Sequence, residues 1–81
     1  MKLLITQKAE RDYRALPSKI QQRVDKQFKF LLQDLRYPSL HAKKYDENRD
    51  IWQGRVDRDY RFYFRIDGDL YVILAIIKHP K

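Results

Sequence analysis

The chain has 81 residues, with 18 lysines and arginines against 11 acidic residues, two histidines, a formal net charge of +7 and no cysteine. That length supplies one modest core, so a single domain over residues 1–81 is expected, and without cysteine there is neither a disulfide framework nor a thiolate metal site; with the two histidines far apart, no metal and no cofactor are expected. The positive charge attracts polyanions, with nucleic acid or an acidic protein the usual partner and a membrane surface the weaker one.

"MKLLIT" opens with Leu3, Leu4 and Ile5, a short apolar run that predicts a first strand. Thr6 can accept a hydrogen bond as an N-cap, and Ala9, Tyr13 and Leu16 recur behind it at helical spacing, which predicts a short amphipathic helix. Pro17 ends that helix, because it has no amide donor, and opens the next, where proline suits the first turn. The second helix has the clearest periodicity in the chain. Ile20, Val24, Phe28, Leu31, Leu32 and Leu35 share one face, with Lys19, Arg23, Lys26 and Lys29 mostly away from it. The short link makes the two helices a hairpin whose apolar stripe is expected to be core, and Tyr37-Pro38 is expected to end the second helix.

From Leu40 the pattern changes to strands. "HAKKYD" reads as a short edge strand, "DIWQGRV" as a second and "DYRFYFRI" as a third, with Asp67-Gly68 at the corner of a tight hairpin from which "LYVILAII" returns antiparallel. The last strand is apolar on both parities, as in a strand flanked on both sides, and is far short of the roughly 20 residues that cross a bilayer. With no signal-peptide pattern at the N-terminus, a soluble cytoplasmic protein that does not engage a membrane is expected. Alternation directs Tyr60, Phe62, Phe64 and Ile66 toward the helices, with Trp52 and Val56, and leaves Arg61, Tyr63 and Arg65 outward beside Gln53 and Arg55. Gly54 marks a bulge or a close approach of backbone. The predicted fold class is α+β: an N-terminal strand and a two-helix hairpin packed on one face of a mainly antiparallel sheet, in the order β-α-α-β-β-β-β.

Guanidinium groups bind phosphate through paired hydrogen bonds, and arginine and tyrosine both stack on bases, so the outward set of Arg55, Arg61, Tyr63 and Arg65 suits single-stranded RNA. The same arginines can instead pair with Asp57, Asp59, Asp67 and Asp69 or lie over an apolar sheet, and both readings stand. Cutting RNA without a metal requires a group to deprotonate the 2′-hydroxyl, a group to protonate the leaving 5′-oxygen, and cations to stabilise the phosphorane. Arg61, His79 and Arg55 are the candidate catalytic residues, and Lys43, Lys44, Gln53, Tyr63 and Arg65 the candidate substrate-binding ones. His79 is the proton-transfer candidate because imidazole changes charge near neutral pH, although a histidine so near the end of the chain also suits a plain surface role. His41 falls on the polar connection, where a solvated loop or edge side chain is the stronger reading and a catalytic role the weaker one. There is no glycine-rich phosphate loop, no His-Glu zinc helix and no nucleophilic serine in a glycine elbow.

The order of strand, helix hairpin and antiparallel strands, "LP" between the helices, the aromatic-x-x-Arg of "WQGR", the segment "DYRFYF" and an apolar last strand ending in basic residues and histidine resemble the RelE/ParE superfamily of toxins from type II toxin-antitoxin modules. The likeness covers essentially the whole chain. It implies a RelE-like fold and a small basic toxin held inactive by a cognate antitoxin protein. In the RelE-like branch it implies an endoribonuclease, or mRNA interferase, that cuts mRNA on the ribosome and inhibits translation. In the ParE-like branch it implies a DNA gyrase inhibitor, and a binding-only or inactive homologue is a third outcome. By position, Arg61 matches the arginine that stabilises the transition state, Arg55 a basic position on the preceding strand, and His79 falls near a C-terminal position that members fill with arginine or histidine. Gln53 stands where some members have lysine, and the C-terminal tyrosine of several members has no counterpart before Lys81.

Overall fold

The computed structural model describes residues 1–79. Strand β1 (Lys2–Ile5) runs directly into Thr6, whose hydroxyl accepts the Ala9 N–H at 3.2 Å and starts helix α1 (Gln7–Arg14). The same hydroxyl donates to the Ile73 carbonyl at 2.7 Å, so one side chain both caps the helix and fastens it to the last strand. Helix α2 (Ser18–Gln33) follows Pro17 and is tied to α1 by Gln21 Nε2, which donates to the Tyr13 carbonyl, and by the Tyr13 hydroxyl, which donates to Asp25.

The second helix stops at Gln33, short of the expected end at Tyr37-Pro38. Asp34 takes an extended conformation and its carboxylate accepts the Arg36 N–H at 2.9 Å, a local turn that competes with the helical ladder. A 3-10 turn over Pro38–Leu40 then drops Leu40 into the core with no exposed surface. Ending the helix early leaves a hollow of about 440 Å³ beside Leu35, Tyr37 and Trp52. Trp52, expected to be buried, is therefore only partly so: one face stacks on Phe64 at 6.2 Å while the Lys44 ammonium lies 5.1 Å from its ring centroid.

The strands β2 (Lys43–Asp46), β3 (Ile51–Arg55), β4 (Tyr60–Asp67) and β5 (Leu70–Lys78) complete a sheet of order β1-β5-β4-β3-β2. Only the β1–β5 pair is parallel. This is the expected α+β fold, with "HAKKYD" at an edge. The β4–β5 hairpin turns one residue later than expected, on Gly68-Asp69, because Asp67 still pairs with Leu70. Gly68, at φ 61°, occupies the first central position, where a mirror-type turn takes glycine.

Helices cover the inner face of the sheet, where Val24, Leu31, Phe62, Phe64 and Ile73 are buried and Phe28 meets Phe62 edge-on at 5.1 Å. The apolar residues of β5 on both parities have a structural reason. Tyr63 pairs with Ala75 but Phe64 pairs with Ile73, so Leu74 is an extra residue in the ladder. This bulge lets Tyr71, Ile73 and Ile76 all turn inward, and it leaves Leu74 and Ala75 on the outer face beside Tyr45, Ile51, Tyr63 and Ile77. The outer face is thus part apolar strip, and its cations gather at one end instead of running along it. No helix among the described residues is long and apolar enough to cross a membrane.

Gly54 answers to the second of its two expected roles. The β3–β4 register is unbroken there, and the Phe62 ring lies over the glycine so closely that a Cβ would stand 2.3 Å from its Cζ. Gly54→Ala is expected to lower the unfolding free energy by about 1–3 kcal/mol, because the buried ring can move only by disturbing Phe28 and Phe64. Chemical denaturation measures this, and an unchanged midpoint would show that the ring shifts without cost.

Candidate functional site

Arg55 and Arg61 are direct partners across the β3–β4 pair, so alternation brings both guanidinium groups to the outer face at the same end of the sheet. The connection between these strands is shaped by Asp57, whose carboxylate accepts the N–H groups of Asp59 and Tyr60, each at 2.8 Å. That turn aims three carbonyls at Arg61. Its Nη1 donates to the carbonyls of Asp57 at 2.6 Å, Tyr60 at 2.9 Å and Arg58 at 3.3 Å. One edge of the guanidinium is therefore held by its own turn, while Nε and Nη2 make no hydrogen bond among the described residues. The His79 N–H donates to the Asp59 carbonyl at 2.6 Å, which brings the end of the described chain to the same turn.

A second clamp comes from α2. Gln27, 1 % exposed, donates through Nε2 to the Arg55 carbonyl at 2.8 Å and the Ser39 carbonyl at 3.1 Å, and its Oε1 accepts from the Ser39 hydroxyl at 3.2 Å. One buried amide thus joins the helix, β3 and the turn that precedes His41. Between these anchors lies a cleft of about 360 Å³ lined by His41, Ala42, Lys43, Gln53, Arg55, Arg61 and His79.

The cleft brings together five of the residues singled out from the sequence: Arg61, His79, Arg55, Lys43 and Gln53. Lys44 lies elsewhere. It opposes Trp52 on the inner parity and is ion-paired to Asp50; the hydrogen bond to Asp50 raises the Lys44 pKa, and the same contact lowers that of Asp50. Tyr63 is 9 % exposed, with its hydroxyl accepting from Gln53 Nε2 at 3.0 Å and its ring edge-on to Tyr45, so it supports Gln53 from beneath. The aromatic ring this face offers to solvent is Tyr45, at 60 % exposure. Arg65 is exposed opposite Val72, outside the cleft. His41 is exposed, as the solvated reading expects, and it also lines the cleft. The pairing of Lys43 with Gln53 brings the turn that carries His41 to this end of the sheet, and that register is not visible in a linear sequence.

The alternative pairing of the arginines with nearby aspartates is not adopted. The ion pairs among the described residues are Lys8–Asp12, Arg14–Glu10, Lys44–Asp50 and Arg49–Asp46, and none involves Arg55, Arg61, Arg65 or Lys43. Arg55 Nε is buried with no hydrogen-bond partner in the described structure. A buried cationic donor without an acceptor is costly. No cluster of three or more His, Cys, Asp or Glu side chains suited to a metal occurs among the described residues.

Residues 3–81 match the model of a family described as the ParE toxin of type II toxin-antitoxin system, parDE. No curated protein sequence matches the chain. Among solved structures, the YoeB/ParE toxin from Agrobacterium tumefaciens is similar in fold, with a TM-score of 0.82 at 15 % identity over 99 % of this chain and 100 % of that one. A chain of the RelBE2 toxin-antitoxin complex from Mycobacterium tuberculosis gives 0.70 at 28 % identity over 96 % of both. A chain of the intact E. coli RelBE toxin-antitoxin complex gives 0.73 at 15 % identity, over 98 % of this chain and 96 % of that one.

Gln27→Leu keeps the approximate volume of the side chain but strands the carbonyls of Arg55 and Ser39. The expected loss is about 1–3 kcal/mol of stability, with increased hydrogen exchange across residues 38–43 and 53–56. Wild-type exchange in both segments would show that the amide does not hold the cleft together.

Proposed function

The chain belongs to the ParE toxin family of type II toxin-antitoxin systems, and from that premise we propose that it is a metal-independent endoribonuclease that cuts mRNA on the ribosome and stops translation. The observation that carries this reading is the cleft itself, in which Lys43, Arg55 and Arg61 have no ion-pair partner among the described residues and surround a space shared with the His79 imidazole.

In this reading the 2′-hydroxyl of the substrate attacks the adjacent phosphorus, and charge accumulates on the phosphorane oxygens. Arg61 is suited to meet that charge. Its bonded Nη1 edge fixes the plane of the guanidinium, so the remaining donors are oriented before substrate arrives and little reorganisation accompanies the reaction. Arg55 adds a second cation directly across the strand pair, without an ion-pair partner among the described residues. Lys43 and Gln53 hold the flanking backbone, with Gln53 oriented by Tyr63, while His79 transfers a proton. Arg65 and the exposed Tyr45 extend the same face outside the cleft, where they can meet further phosphates and a base.

The RelBE2 and RelBE structures are toxin-antitoxin complexes, which supports a cognate antitoxin as the partner of this chain. An acidic antitoxin segment over the cleft would neutralise its field. Gyrase inhibition is the second reading, favoured by the match to the ParE family model. A poison acting through protein contacts alone leaves the gathering of arginines and histidine in one cleft without a role.

Primer extension on mRNA from a translating extract tests the proposal. New 5′ ends are expected at ribosome-occupied codons, reduced about 10²–10³-fold in Arg61→Ala, the size of effect seen when one preorganised donor to a developing oxyanion is lost. Intact mRNA together with inhibited DNA supercoiling would replace this reading with gyrase inhibition. Affinity for single-stranded RNA should fall with salt at a logarithmic slope of about −2, as for three neutralised phosphates, and a salt-independent affinity would remove the cleft cations from the interface.

A further inference from the structure

We propose that His41 is the second proton-transfer residue of this cleft, partnered with His79; this rests on the ribonuclease reading above and assigns a role that reading leaves open. Cleavage through the 2′-hydroxyl needs one group that accepts a proton and another that donates one. The charged and titratable residues lining the cleft are His41, Lys43, Arg55, Arg61 and His79, with no carboxylate. Arg36 and Tyr37 flank His41 in the adjoining hollow and add no carboxylate either. Lysine, arginine and tyrosine as residue types hold their protons near neutral pH, so imidazole is the lining group suited to exchange one there. The described cleft contains two imidazoles, and two are needed.

Their placement suits a division of labour. Arg55 pairs with Arg61 and Arg61 with Ile77, two residues before His79, while His41 reaches the same cleft from the turn that precedes Lys43. His79 is held just past that pair, by its N–H to the Asp59 carbonyl, and both imidazoles line the cleft that contains the two guanidinium groups. A phosphate held by the two arginines would lie in the cleft that both histidines line.

His41 is also held in an unusual way. Its backbone is left-handed, φ 46° and ψ 41°, a conformation that glycine or asparagine adopts with less strain. Fully buried Leu40 anchors it from one side of the chain, and the Gln27–Ser39 clamp fixes the turn just before it. A strained residue over-determined by its surroundings at the wall of a cleft points to a selected side chain.

The chemistry balances with these groups alone. One imidazole, neutral, takes the 2′-hydroxyl proton as the bond from O2′ to phosphorus forms. The other, protonated, gives its proton to O5′ as the bond from phosphorus to O5′ breaks. The products are a 2′,3′-cyclic phosphate and a free 5′-hydroxyl, and exchange with water returns both imidazoles to their starting states.

The test is single-turnover cleavage of mRNA on purified ribosomes as a function of pH, using wild type, Arg61→Ala, His41→Asn and His41→Gly. Asparagine and glycine both tolerate the left-handed backbone, and thermal unfolding verifies that each variant is folded. Wild type should give a bell-shaped profile, and Arg61→Ala the same bell at a lower rate. His41→Asn should cut about 10²–10⁴-fold more slowly and lose one limb: the acid limb if His41 accepts the proton, the alkaline limb if it donates. Added imidazole should restore His41→Gly in part. A wild-type rate in His41→Asn, or a slower reaction that keeps both limbs, overturns the assignment while leaving the ribonuclease reading intact. Absence of cutting by wild-type protein overturns both.

Discussion

The extra residue at Leu74 is the constraint on which the other elements depend. A sheet covered by one helical layer can bury only one face, and the central pair must present large side chains to that layer along its whole length. Strand β4 does so by plain alternation through Phe62, Phe64 and Ile66, whereas β5 must change parity midway to bring Tyr71, Ile73 and Ile76 to the same side. The bulge performs that change. It also supplies the attachment points for α1: the Thr6 hydroxyl reaches the carbonyls of Ile73 and Leu74, and the Asp12 carboxylate accepts the Ile76 N–H, which lies past the end of the β1 pairing.

What the inner face gains in burial, the outer face reflects in its division. Leu74, Ala75 and Ile77 leave an apolar strip under Tyr45 and Tyr63, and the cations are left to the end where β3 joins β4. There the polar groups are organised mainly by backbone. Arg61 leans on the carbonyls of its turn, His79 on a further carbonyl of the same turn, and Arg55 on the Gln27 amide through its own carbonyl. Anchoring cations through neutral acceptors keeps them ordered without cancelling their charge. An aspartate in the same place would have fixed them equally well and occupied the position of a phosphate.

Much of this was legible before any coordinates. The 3.6-residue stripe of α2, the N-cap at Thr6, the proline between the helices and the alternation of β4 each depend on neighbours close in sequence, and each element appears where its local pattern puts it except the end of α2, which stops at Gln33. Arg55 and Arg61 were identifiable as outward-facing for the same reason. Lys44 and Tyr63, both read as candidate substrate-binding residues, lie outside the cleft lining. Lys44 has the inward parity and a partner in Asp50, while Tyr63 has the outward parity but lies beneath Tyr45, a contact between strands that alternation along one strand does not contain.

The amino-acid order by itself determined the fold class and the sign of the charge, because periodicity, turn chemistry and composition are properties of short segments or of the whole chain taken together, and the order of its motifs carried the family resemblance. Tertiary structure decided the site. His41 and Arg55, His79 and Asp59, and Gln27 and Ser39 meet through strand register, a bulge and the early end of a helix, each set by a balance of packing and hydrogen bonding between segments far apart in the chain. A shift of one residue in register would exchange the faces of a strand, so the membership of the cleft rests on that balance.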